Sequence, residues 1–175
     1  MKCSGLIVCC ILSFSAYCQN NFGIVIDKPV NIDGIEYGIS IRNQRKQEVK
    51  DKGIYDRYEL SLYAINQSSC SRILLSMGSY SVLDDVGIFS RIICLNATGY
   101  RLTSKYGNLK MEAFFVPVKR EFKDDKGKTH YETENIQAGY IFKSGRTLND
   151  NIIIIVPEGE KPEFKIAQLN NGHFL

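Results

Sequence analysis

The 175-residue chain is 44% hydrophobic and 23% charged, enough for one packed core and too apolar for wholesale disorder. Its 22 basic and 19 acidic residues leave a formal charge of +3, far from the lopsided surface that wraps nucleic acid phosphates, so no nucleic-acid partner is expected. Two histidines exclude a histidine-rich metal site.

Residues 1–18 read as a signal peptide. Lys2 is a short positive start, and Gly5 to Phe14 carry no charge. Ala16-Tyr17-Cys18 then places small residues at the −3 and −1 positions before Gln19. The apolar run is shorter than the ~20 residues a membrane span needs, so no transmembrane segment is expected after cleavage. Lipid attachment needs a small residue before the acylated cysteine, and Tyr17 and Val8 stand there instead. The chain is therefore expected in the periplasm or outside the cell. Cleavage removes Cys3, Cys9, Cys10 and Cys18 and leaves Cys70 and Cys94, which an oxidising compartment would join in a disulfide.

From Gln19 to Leu175 apolar residues alternate at period two, the signature of half-buried strands. Candidate strands are Phe22–Asp27 and the alternations Ile35–Ile41 and Tyr58–Ala64. Arg72–Ser76, Ser79–Leu83, Phe89–Leu95 and Leu109–Phe115 follow. Ile136–Phe142, Ile152–Val156 and Phe164–Gln168 complete the set. The run Ile152–Val156 is apolar on both sides and reads as a central strand. Arg45–Lys52 has no apolar face and reads as a solvated loop. Turns are expected at Asn31-Ile32-Asp33-Gly34, at Ser144-Gly145-Arg146 and at Glu158-Gly159-Glu160-Lys161-Pro162. Asp124-Asp125-Lys126-Gly127 should close a hairpin between Phe115–Phe122 and the strand after Thr129. Strands without intervening helices favour antiparallel pairing. Residues 19–175 are expected to form a single all-β domain, an immunoglobulin-like or fibronectin-like antiparallel β-sandwich, with a small β-barrel as the alternative.

Catalytic patterns are scarce. A triad base would have to be His130, in a charged hairpin, or His173, the third residue from the end. Gly127-Lys128-Thr129 lacks the upstream glycine of a phosphate loop. Asp84-Asp85 and Asp124-Asp125 are adjacent pairs whose side chains diverge on a strand, and neither fits a calcium-loop pattern. No catalytic residue, metal site or cofactor is assigned. Asn66-Gln67-Ser68 and Asn96-Ala97-Thr98 match the short N-glycosylation pattern.

Tyrosine is abundant, and Tyr80, Tyr100 and Tyr106 fall in or near loops, where amphipathic rings serve binding. The leading functional expectation is an exported, non-catalytic binding or accessory protein of the cell envelope or extracellular space. Its partner would be a protein or a carbohydrate, and its oligomeric state is left open. The alternatives are a small secreted hydrolase with a carboxylate site, and an inhibitor or immunity-type protein that acts through a protruding loop. Arg120–Tyr131 and Gln44–Ile54 are the candidate loops.

Overall fold

The structure, a computed structural model, describes residues 21–50, 52–75, 87–103 and 105–168. The expected signal segment, the strand Ser79–Leu83, Tyr80, Asp84-Asp85 and His173 lie outside the described residues. The described residues form eleven strands and no helix. These are β1 Asn21–Ile24, β2 Val30–Ile32, β3 Ile35–Val49, β4 Gly53–Asn66, β5 Arg72–Leu75 and β6 Ile88–Leu95. They continue with β7 Gly107–Lys110, β8 Glu112–Lys123, β9 Thr129–Phe142, β10 Thr147–Pro157 and β11 Glu163–Gln168. Every pairing is antiparallel, as the turn-rich sequence predicts.

Three sheets result, with orders β1-β11-β6-β7, β10-β4-β3-β2 and β5-β9-β8. The first two face each other across the core and do not close into a barrel, so the architecture is a β-sandwich. Period-two alternation sets the inner faces. Tyr37, Ile39, Leu60, Leu62, Ile154 and Val156 point inward from one sheet, and Ile24, Ile92, Cys94, Phe164 and Ile166 from the other. Each fully buried aliphatic side chain contributes about 1.5–3 kcal/mol relative to exposure. Asp33 and Gly34 both have positive φ, 51° and 77°, which makes a two-residue hairpin turn between Ile32 and Ile35.

The third sheet docks against the core through Phe142, whose ring meets Phe89 edge-on at 5.1 Å. Tyr140 and Leu74 pack beside it. Among the described residues β5 pairs with β9 from Phe142 to Gly139. The chain enters β8 directly from β7, with Met111 alone between them.

Several expectations are corrected. The alternation Leu109–Phe115 is not one strand: the buried Met111 breaks it, and the chain leaves the first sheet for the third. Arg45–Lys52 is not a loop throughout. Its first part completes β3, in a hairpin exposed enough to need no apolar face. The isoleucine run is not central: among the described residues β10 is an edge strand, with Ile153 and Ile155 turned outward. Opposite them in register lie Glu59 and Arg57, an ion pair whose arginine side chain is largely covered. The Cys70–Cys94 disulfide is not formed. Cys94 faces into the core from β6, while Cys70 sits exposed in the loop after β4. Burial pushes the Cys94 thiol up to about 12, so it stays protonated and inert.

Candidate functional site

The β8–β9 hairpin extends well past its attachment. Beyond Gly139, among the described residues β9 pairs with β8 alone, so residues 115–138 form a two-stranded ribbon. Nine residues of β8, Phe115 to Lys123, lie in this ribbon, a reach of roughly 30 Å at the usual strand rise. A register shift between Phe114 and Phe115 marks its base, where a bulge re-aims the strands.

Register assigns the two faces of the ribbon. One carries Val116, Val118, Arg120 and Phe122 on β8, opposite Ile136, Glu134, Glu132 and His130 on β9. The other carries Phe115, Pro117, Lys119 and Glu121 opposite Gln137, Asn135, Thr133 and Tyr131. On this second face Phe115 is 54% and Tyr131 70% exposed, large rings left in water. Phe115 stands at the base and Tyr131, opposite Glu121, near the tip, six register steps or ~20 Å apart, so they are two separate aromatic anchors on one projecting face.

The ribbon's tip is tightly built. Asp124 Oδ1 accepts from the backbone N–H groups of Lys126 (3.0 Å) and Lys128 (2.8 Å). Its Oδ2 lies 2.9 Å from His130 Nε2. The hydrogen bond to His130, then those from the backbone, hold the Asp124 carboxyl below the usual aspartate range. The His130 ring stacks on Phe122 at 5.5 Å. The histidine weighed as a triad base thus has a turn-forming carboxylate and a phenyl ring as its partners. Asp125 is exposed beside it.

Of the predicted tyrosines, Tyr100 and Tyr106 share the loop between β6 and β7. Tyr100 is 76% exposed, and its backbone N–H donates to Asn96 Oδ1 at 2.8 Å. The Tyr106 ring has the Arg101 guanidinium 3.8 Å and the Arg91 guanidinium 5.0 Å from its centre, and Arg101 also donates to its hydroxyl. This cation–π cluster fastens the loop to β6. Tyr100 stays outside it.

Both glycosylation-like triplets are turns. Asn96 Oδ1 accepts from the Thr98 N–H (3.1 Å) and hydroxyl (2.8 Å), and Asn66 Oδ1 does the same for Ser68 (3.1 and 2.6 Å). Asn66 is fully buried, and its Nδ2 donates to the carbonyls of Cys70 and Phe142 at 2.9 and 3.0 Å. It ties β4 of the sandwich to β9 of the ribbon sheet.

Sequence reasoning located the hairpin and its turn but did not single out Phe115 or Tyr131. The available signal was the polar run Thr133-Glu134-Asn135, over which β9 itself contributes no apolar side chain to either face. Among the described residues, no three His, Cys, Asp or Glu side chains gather as metal ligands, and no helix is long and apolar enough to cross a membrane. Compared with known proteins, the chain matches no family model, no curated protein and no solved structure.

Proposed function

We propose that the chain is an exported, non-catalytic binding protein that holds a protein partner on the Phe115/Tyr131 face of its β8–β9 ribbon. One observation carries this reading: an exposed ribbon of 24 residues, 115 to 138, projecting from a packed sandwich with two aromatic rings in water on one face. Aromatic anchors dominate protein interfaces because they bury much area at little entropic cost. The signal-peptide layout of residues 1–18 supports export, and exported material should begin at Gln19 by N-terminal sequencing.

A photo-reactive residue at Tyr131 should cross-link one protein from the native source, while the same probe at Ser61, on the outer face of β4, should not. Equal capture at both sites, or none at Tyr131, would refute the ribbon as the binding element. The braced tip favours one narrower version, an inhibitor that inserts residues 124–128 into a secreted enzyme, since preorganised loops lose little entropy on binding. In that version Asp124→Ala weakens inhibition without removing Tyr131-dependent capture.

A further inference from the structure

The other face of the ribbon carries different chemistry. Val116, Val118 and Ile136 are half-buried there, and Phe122 is 48% exposed. Two strands alone are marginally stable in water, so an apolar ribbon face gains from a cover. We propose that this face is covered by a second copy of the chain, ribbon upon ribbon, about a two-fold axis running along the ribbon. The inference uses the face opposite Phe115 and Tyr131 and does not depend on the partner proposed above.

Charge selects the second copy as occupant. From Lys119 to Glu134 the ribbon has five basic residues (Lys119, Arg120, Lys123, Lys126, Lys128) and five acidic ones (Glu121, Asp124, Asp125, Glu132, Glu134). A ribbon of zero net charge offers no field for nucleic acid or for a strongly charged surface. Its charges are nevertheless sorted by strand. On the apolar face β8 carries Arg120, and β9 carries Glu132 and Glu134.

Arg120 Nε already meets Glu134 at 3.0 Å within the chain, whereas Glu132, its register partner, makes no ion pair among the described residues. A two-fold axis along the ribbon lays β8 of one copy against β9 of the other at equal height. Arg120 of each copy then faces Glu132 of the other, Val116 faces Ile136, and Phe122 faces His130. The contact is isologous, so it closes at two copies and does not propagate into a fibre. A standard interface takes about 20–30 residues from each side. One face of this ribbon supplies fewer, so the dimer is weak and reversible.

Sedimentation velocity on the purified chain from low to high micromolar concentration tests this. The expected result is a concentration-dependent monomer–dimer equilibrium that weakens in high salt. Arg120→Glu and Glu132→Arg should each weaken association about tenfold or more by setting like charges face to face. An equimolar mixture of the two variants should restore it, because each then offers the charge the other needs. The restored dimer also shows that neither variant has merely unfolded. Tyr131→Ala, on the opposite face, should leave dimerisation unchanged. A chain that stays monomeric throughout, a mixture no better than the single variants, or equal loss in Tyr131→Ala would each overturn the proposal. So would a monomer whose Val118 photo-cross-links to a different protein. None of these outcomes touches cross-linking from Tyr131, which tests the binding reading separately.

Discussion

Asn66 is the residue on which the junction of the sheets turns. Its amide satisfies two carbonyls, its oxygen takes a backbone N–H and a hydroxyl, and its own N–H and C=O bond Arg146 and Gly145 at 3.0 and 2.7 Å. Asn66→Ala keeps the backbone bonds but strands the buried Phe142 carbonyl without its donor. Leaving such groups unsatisfied costs about 1–3 kcal/mol each, so urea unfolding should show a loss of about 2–4 kcal/mol. Asn96→Ala, which breaks a similar turn at a partly exposed site, should cost under about 1 kcal/mol. Equal losses would mean that Asn66 is only another turn residue. In the sequence the two triplets are indistinguishable, because burial is a property of the surrounding strands. Cys70 and Cys94 carry the same lesson. An expected signal cleavage that leaves these two argued for a bridge, but period two in β6 sends Cys94 inward with Ile92, and a thiol sealed there cannot reach an exposed loop. Native alkylation followed by peptide mapping should label Cys70 and spare Cys94 until denaturant is added. Equal labelling of both would show that the core around Cys94 is open.

At the scale of elements, the third sheet depends on a close approach. A Cβ added at Gly139 would sit 2.0 Å from the Leu74 carbonyl oxygen and 2.9 Å from the Leu75 Cα. Backbone cannot give way as a flexible side chain can, so Gly139→Ala should separate β5 from β9. The expected loss is about 2 kcal/mol or more, read as a lower denaturation midpoint together with a shifted Phe142 ring environment. An unchanged midpoint would place the strands farther apart than described. At the other end of β9 the tip is pH-sensitive. The Asp124 pKa is lowered in the folded tip, so its stabilising contribution is complete above the ordinary aspartate value and is lost as pH falls through the lowered one. Amide shifts of Lys126 and Lys128 should therefore show an acid transition below the ordinary aspartate range. Asp124→Asn should abolish that acid transition, and a transition persisting in the variant would assign it to another group. Strands with one wet face were legible from alternation, as in Tyr58–Ala64. The edge position of β10 was not, because Ile153 and Ile155 lie on an outer face partly sheltered by the Arg57–Glu59 pair and so resemble core residues.

The whole molecule combines a body that buries its side chains with a ribbon that does not, and stability should divide along that line. In the sandwich Leu60, Leu62, Ile92 and Ile154 lie between two sheets, and their amides can exchange only when most of the core opens. Among the described residues the ribbon has ladder hydrogen bonds on one side of each strand, with Gly139 and the β5 pairing as its anchor. Opening Val116–Glu134 exposes little apolar area, so it should proceed without disturbing the sandwich. Native-state hydrogen exchange should then show two tiers: body amides whose protection falls with denaturant, and ribbon amides that exchange by local opening independent of it. Dimerisation through the ribbon adds its own signature. A second copy binds only the closed ribbon, so raising the protein concentration should slow exchange of the ribbon amides and leave the body tier unchanged. If all amides shared a single protection level, the ribbon would be part of the cooperative core. If the ribbon tier ignored concentration while sedimentation showed a dimer, the two copies would meet through some other surface.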